Sequence, residues 1–171
     1  MLQYVFTKAT GAKDQNENDA GGSTWSGWDP FFEAQGGGTI YNNLFNMTNL
    51  IIHSISVTAN PMEDVTAKLS LHALFLEREI DNASAFVFRN PTNSSVSLAS
   101  TQNKAADSTF LGKEIDFNLA YDYTEDVQFG FAMGWFLPGS VFTPAGRSGI
   151  GSGSNTDDTA KQAIINVNVA F

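Results

Sequence analysis

The two acidic residues best spaced for joint chemistry are Glu114 and Asp116, which are separated by one residue. On a β-strand, side chains two residues apart point to the same face, so both carboxylates would lie side by side. Paired carboxylates are the acid and the nucleophile or base of glycosidases. In a competing, structural interpretation the two acids are neutralised by a neighbour such as Lys68. The elements that position the pair have to decide between these interpretations.

Other motifs for catalysis or ligand binding are weak. The two histidines, His53 and His72, lack the spacing to Ser, Cys or carboxylate residues that is typical of triads or zinc sites. Asp14-x-Asn16-x-Asn18 resembles the start of a calcium loop, but Gly at its sixth position and Glu at its twelfth are missing. The glycines of 146–151 lie between strands with no helix to follow, which disfavours a phosphate site. We predict no enzyme activity, no cofactor and no metal.

Composition excludes several classes of protein. The chain has 171 residues, 42% of them hydrophobic and only 16% charged, and its formal charge is −9. This acidic balance excludes nucleic acid as a partner, because phosphates need a basic surface. Without cysteine there is neither a disulfide framework nor a thiolate metal site. The longest aliphatic run, Leu50–Ile52, is far shorter than the ~20 residues of a membrane-spanning helix.

Alternation of apolar and polar residues predicts six strands. The chain opens with Leu2, Tyr4 and Phe6 on one face, and further strands are predicted over 49–59, 65–77, 112–123, from 127 to about 137, and up to residue 171. Their apolar faces are aromatic and almost uninterrupted. One strand carries Gly130, Ala132 and Gly134 on its other face, as a crowded interior would require.

Long and short connections alternate along the chain. Loops over 9–46, 79–110 and 138–159 are long and polar, whereas 60–64 and 124–126 are short turns. This arrangement is typical of an antiparallel, up-and-down transmembrane β-barrel. Six strands are too few to close one, so either upstream strands are missing or segments 31–35 and 39–45 add two more. The alternative is a soluble β-sandwich that acts as a carbohydrate-binding module and uses Trp25, Trp28 and Trp135.

The last strand carries a more specific signal. Ile165, Val167, Val169 and Phe171 alternate with polar or small residues, and the chain ends on the aromatic ring. This ending resembles the closing strand of bacterial outer-membrane barrels. In those proteins such residues form the signal that the barrel assembly machinery reads, and the resemblance implies that role for these four residues.

A second resemblance covers 111–139. Leu111-Gly112-Lys113-Glu114-Ile115-Asp116-Phe117, then Tyr121, then Gly134-Trp135-Phe136-Leu137-Pro138-Gly139 resemble the closing hairpin of the alginate export family of outer-membrane barrels. More loosely, 28–44 resembles the loop before a strand pair of that family, and 49–61 the hairpin that follows. No signal peptide opens the chain, so we expect residues 1–171 to be the C-terminal segment of one larger barrel domain.

The resemblance implies a passive outer-membrane pore or export channel for a polar solute or polysaccharide. Its expected partners are outer-membrane lipid, the assembly machinery and the transported solute. A mixed-charge wall fits a water-filled channel, and in this setting Glu114 and Asp116 are wall residues. The predicted pore-lining residues are Lys68, Ser70, His72, Glu114, Asp116, Asn118, Gln128, Asn166 and Asn168. No arginine falls on a predicted inward strand position, which disfavours the polyanion alginate itself.

Overall fold

The computed structural model describes residues 1–11, 27–28, 37–78, 109–141 and 158–171. Six strands form a single antiparallel sheet in the order in which they occur along the chain. The sheet is not closed, so the first and last strands are its edges. The strands are β1 (Leu2–Ala9), β2 (Leu50–Met62), β3 (Val65–Leu76), β4 (Phe110–Thr124), β5 (Val127–Pro138) and β6 (Ala160–Val169).

The prediction of an all-β, up-and-down arrangement with six strands is confirmed by this topology. Short turns join β2 to β3 and β4 to β5, and the other three connections are long. We call the end of the sheet at which the two short turns lie the short-turn end, and the opposite end of the strands the long-loop end. Much of the three long loops lies outside the described residues, as does segment 31–35.

Each short hairpin contains a bulge beside its turn. In the first hairpin Met62 faces Val65 and Ala59 faces Ala67. Between these two pairs, Asn60 and Pro61 together oppose Thr66. Pro61 cannot donate to the ladder, which makes a bulge the natural place for it. Without the extra residue every side chain of β2 would be shifted by one, and its apolar residues would face the polar ones of β3.

The two faces of the sheet differ sharply in residue type. Hydrogen-bonded partners place Ile55, Leu71, Ile115 and Trp135 in one row, and the neighbouring row toward the short-turn end, Val57, Leu69, Phe117 and Met133, is equally apolar. This side is the apolar face, and it is exposed: Leu69 and Leu71 retain 47% and 48% of their accessible surface. The opposite side, the polar face, contains Ser54, Ser56 and Ser70. Ser70 is only 5% exposed.

The hydrophobic core lies on the polar face, at its long-loop end. There the strands switch to Leu50, Ile52, Leu74 and Phe136, all of which are buried. Residues 37–49, which we call the inner segment, cover this patch. They contain a one-turn helix, α1 (Tyr41–Leu44), and contribute Ile40, Tyr41 and Phe45 to the core.

The inner segment corrects one expectation. Segment 39–45 does not add a strand, because it forms α1 instead. The amide groups of Ile40 and Tyr41, which a strand would use in a ladder, are bonded to Glu114. Among the described residues no helix is long and apolar enough to span a membrane.

Candidate functional site

The acidic pair identified from the sequence forms the centre of the polar face. Glu114 and Asp116 project from β4 to the same side and are 0% and 2% exposed. Glu114 accepts two backbone hydrogen bonds from the inner segment: the amide of Ile40 donates to Oε1 at 2.7 Å, and that of Tyr41 to Oε2 at 2.6 Å. A carboxylate that accepts two amide groups holds the backbone that donates them in one place. Glu114 therefore holds the start of α1 against the sheet.

Asp116 joins the inner segment to β3. Its Oδ2 atom accepts the amide of Thr39 at 3.2 Å and lies 3.3 Å from Nε2 of His72. His72 is itself bonded through Nδ1 to Ser54 Oγ on β2, at 2.7 Å. The second carboxylate oxygen, Oδ1, is buried without a hydrogen-bond partner among the described residues. Lys68, the predicted partner of the acids, lies opposite Asn118, two residues further along the ladder, and the side chain in contact with Asp116 is His72.

Ser54, His72 and Asp116 have the connectivity of a catalytic triad, which the sequence did not suggest. Ser54 lies in the middle of β2, opposite Val5 on one side and His72 on the other. Backbone amides at such a position belong to the ladders, so they do not offer an oxyanion hole of the kind that acyl transfer requires. Tyr41 also packs edge-on against the His72 ring, with centroids 5.2 Å apart. These contacts favour a structural role for the three residues.

Tyr41 joins the acidic pair to the core. Its amide binds Glu114 and its ring contacts His72, so it is buried on both sides. Burial raises the pKa of Tyr41 to about 12; a hydrogen bond from the backbone amide of Gly38 opposes that rise, and the charges of Glu114 and Asp116 add to it. The hydroxyl therefore stays protonated at neutral pH. Gly134 on β5 permits Asp116 and Thr39 to lie close to its backbone, since a Cβ there would lie 2.8 Å from Asp116 Oδ1 and 3.0 Å from Thr39 Cβ.

The remaining predicted pore-lining residues also lie on the polar face, nearer the short-turn end. Ser70 is buried, and Lys68, Asn118 and Gln128 are half-buried. Asn166 and Asn168 are exposed on the edge strand β6, where Asn168 donates to Gln128 at 3.3 Å. The structure therefore brings all nine residues onto one face, but it covers Glu114 and Asp116 with the inner segment. Their lining of a pore stays a prediction.

The predicted assembly residues form one row of exposed side chains on β6 and beyond it. Ile165 and Val167 lie opposite Phe131 and Phe129 on the apolar face, and Ile165 keeps 77% of its surface accessible. Val169 pairs with Val127 and is also exposed, as is Phe171 after the strand. Nothing in this placement tests their part in assembly.

One junction at the long-loop end was missed from the sequence. Asn49 has a left-handed backbone, with φ of 53°, and is fully buried. Its side chain donates to the carbonyl of Arg78 at 3.0 Å and accepts the Arg78 amide at 2.8 Å. Beside it, Glu77 accepts the amide of Gly11 and lies 3.5 Å from Lys8. An Asn before a strand is a common turn residue, but no local pattern indicates these distant partners.

The neighbours of Glu77 also determine the pKa of its carboxyl group. Partial burial alone would raise its pKa, but the Gly11 amide and the charges of Arg78 and Lys8 outweigh burial and lower it. The arrangement ties the ends of β1 and β3 together at the start of two long loops.

Several predicted features lie outside the described residues. These are the calcium-like segment 14–18, the glycines of 146–151 and Trp25. Within the described ranges, no group of three or more His, Cys, Asp or Glu side chains could hold a metal ion.

Comparison of the chain with protein-family models and with curated proteins finds no match. The likeness to the alginate export family therefore rests on the motifs of 111–139 and on the arrangement of strands alone.

Proposed function

We propose that this chain is part of the wall of an outer-membrane β-barrel that conducts a polar solute by passive diffusion. The observation that carries the proposal is the reversed distribution of residues between the two faces. A soluble sheet buries its apolar face and exposes its polar face. Here Leu69 and Leu71 are exposed while Ser70, between them, is buried. Lipid outside would explain the exposed leucines, and a barrel interior crowded with side chains would explain the buried serine.

The size of the apolar face supports the same proposal. On β4 it runs from Lys113 to Tyr123, which are ten residue steps apart. At about 3.3 Å per residue this span is about 33 Å along the strand. A strand tilt of roughly 40° reduces it to about 25 Å, the height of the apolar band of outer-membrane barrels.

Aromatic rings at the short-turn end fit an interfacial position. Tyr121, Tyr123 and Phe129 cluster there, with ring centroids 6.0–6.5 Å apart. Tyr at a membrane interface can bury its ring and keep its hydroxyl in water. The predicted closing of the sheet requires further strands at its open edges, either from the same protein or from another copy.

The charged side chains of the polar face suggest which solutes the proposed channel would pass. Near its long-loop end the inner segment lies across the face and narrows the space beside β3 and β4. Among the described residues this face carries one lysine, Lys68, and three acids, Glu114, Asp116 and Asp122. Because the inner segment covers Glu114 and Asp116, the accessible charges are Lys68 and Asp122, and this part of the wall has no basic cluster that would attract a polyanion. We therefore propose a neutral polar solute rather than alginate.

The soluble sandwich has less support. It requires a second layer over the apolar face, and the described residues form one sheet. Of the tryptophans proposed to bind sugars, Trp28 is exposed but Trp135 lies on the apolar face, opposite Ile115.

The proposal is tested by conductance. The full-length protein is reconstituted in planar bilayers and in vesicles loaded with sugars of graded size. Discrete current steps and size-limited sugar release are expected. Stable insertion without any conductance would refute the channel but not the barrel, whereas a monomer that stays soluble without detergent would refute both.

A further inference from the structure

The apolar face carries three lysines, all toward its long-loop end. Lys8 is on β1, Lys113 on β4 and Lys161 on β6, and all three are exposed. Their row positions place them beside aromatic residues: Lys161 is opposite Trp135, and Lys113 Nζ lies 6.0 Å from the Phe110 ring centroid. We call these three residues the lysine belt. The fourth lysine in the described strands, Lys68, is on the polar face.

The belt follows a line inclined to the strands. Traced through hydrogen-bonded partners, the row of Lys113 reaches β1 at Phe6, and the row of Lys161 reaches it at Tyr4. From β1 to β6 the belt therefore descends by four residues, about 13 Å, over five strand spacings of about 4.8 Å each. This slope is about 30°.

The other ends of the strands are staggered in the same sense. The row of Leu2, where β1 begins, reaches β6 at Ala163, six residues before β6 ends at Val169. Strands in a membrane barrel are tilted by roughly 35–45°, so a line parallel to the membrane crosses the ladder rows at a similar angle. The belt has about the slope that a membrane surface would have on this sheet.

Charge differs between the two ends. The two short turns consist of Glu63, Asp64, Glu125 and Asp126, all of them acidic. At the long-loop end, the long side chains of the belt can lie along apolar surface and extend their ammonium groups to the headgroup level. An anionic headgroup in that leaflet would be attracted to the belt, whereas one in the opposite leaflet would be repelled by the turns.

We propose that the lysine belt binds the phosphate groups of anionic lipid headgroups in the leaflet at the long-loop end. This inference rests on the proposed membrane function, since it requires the apolar face to be in lipid. Lys113 and Lys161 would contribute most, because Lys8 also lies 3.5 Å from Glu77.

The test uses the full-length protein in phosphatidylcholine nanodiscs with a minor fraction of lipid A, whose headgroup carries phosphates. Retained lipid is measured by native mass spectrometry. A basic residue near the surface strengthens such binding about fivefold, so Lys113→Gln with Lys161→Gln should weaken lipid A retention about 25-fold. Adding Lys8→Gln should weaken it further, to at most about 100-fold. Lys68→Gln is the matched control and should change retention less than twofold.

The possible failures are distinguishable. Insertion is measured separately, from quenching of Trp fluorescence by brominated lipid. Failure to insert would refute the membrane proposal and the belt with it. Normal insertion with equal lipid A retention in all variants would refute the belt alone. Displacement of lipid A by inorganic phosphate at the same phosphate concentration would also refute it, because a headgroup site depends on the membrane surface.

Discussion

Replacing Glu114 by Gln should release the inner segment from the polar face. Glu114 accepts the amides of Ile40 and Tyr41 at 2.7 and 2.6 Å. Hydrogen bonds to an ionised carboxylate contribute about 1.5–3 kcal/mol each, and those to a neutral acceptor about 0.5–1.5 kcal/mol. Glutamine has one acceptor oxygen, and its amide group would face one of the two N–H donors. Removing a buried charge offsets part of this loss, so we expect the docking free energy to fall by about 1–3 kcal/mol.

The effect is measurable at the two amides themselves. Hydrogen exchange at Ile40 and Tyr41 reports the opening of the inner segment. One decade in an equilibrium constant corresponds to about 1.4 kcal/mol, so a loss of about 1–3 kcal/mol in Glu114→Gln should reduce their protection by about fivefold to 150-fold. The same variant should increase single-channel conductance, since an undocked segment narrows the channel less.

Asp122→Asn is the matched control for this experiment. Asp122 is on the same strand and the same face, but it is exposed and bonds to Gln128 at 2.7 Å, away from the inner segment. The control should leave exchange at Ile40 and Tyr41 unchanged. Unchanged protection in Glu114→Gln would refute the holding role of Glu114.

Three further predictions concern stability. Asn49→Ala removes two hydrogen bonds and places alanine at a φ of 53°, so the free energy of unfolding in denaturant should fall by about 2–4 kcal/mol. Asn43→Ala, at an exposed position, is the control, and an equal loss in both variants would contradict a stabilising role for the Asn49 junction. Leu69→Arg puts a charge in the middle of the apolar face and should cost about 2–4 kcal/mol in a bilayer, measured by refolding into vesicles; no cost there would argue against lipid contact. Glu77 has a lowered pKa, so the stability from its contacts with Gly11, Lys8 and Arg78 should be fully present above the pKa of the unfolded state and be lost as the pH falls through the pKa of the folded state. Glu77→Gln should make the melting temperature depend less on acid pH, and an unchanged pH profile would contradict this.

The strands of this sheet were predictable because each one repeats a simple pattern. The alternation in β3 and β4, and the polar residues at the two short turns, fixed both their positions and their faces to within a few residues. Bounds differ mainly at the bulges: β2 continues through Asn60 and Pro61 to Met62 rather than ending at 59. A bulge depends on the partner strand, so a single strand's pattern does not contain it.

The contacts of the acidic pair were less predictable. Glu114 and Asp116 were correctly assigned to one face, but their partners come from residues 39–41, more than 70 positions away by number. The contact between His72 and Asp116 depends on the register of β3 with β4, and a long loop between them does not determine that register. The apolar patch of Leu50, Ile52 and Leu74 on the polar face was missed because alternation masks it: each is next to an outward-facing apolar residue.

The most direct test of the reversed faces is a cysteine scan of β3. The chain has no cysteine, so single substitutions from Thr66 to Phe75 can each carry one spin label in lipid vesicles. We expect labels at 67, 69, 71 and 73 to be accessible to oxygen dissolved in lipid, and labels at 66 and 68 to be accessible to a water-soluble nickel reagent. The labels at 70 and 72 should be accessible to neither while the inner segment is docked. An alternation in the opposite sense, or water access at 69 and 71, would contradict a sheet with its apolar face in lipid.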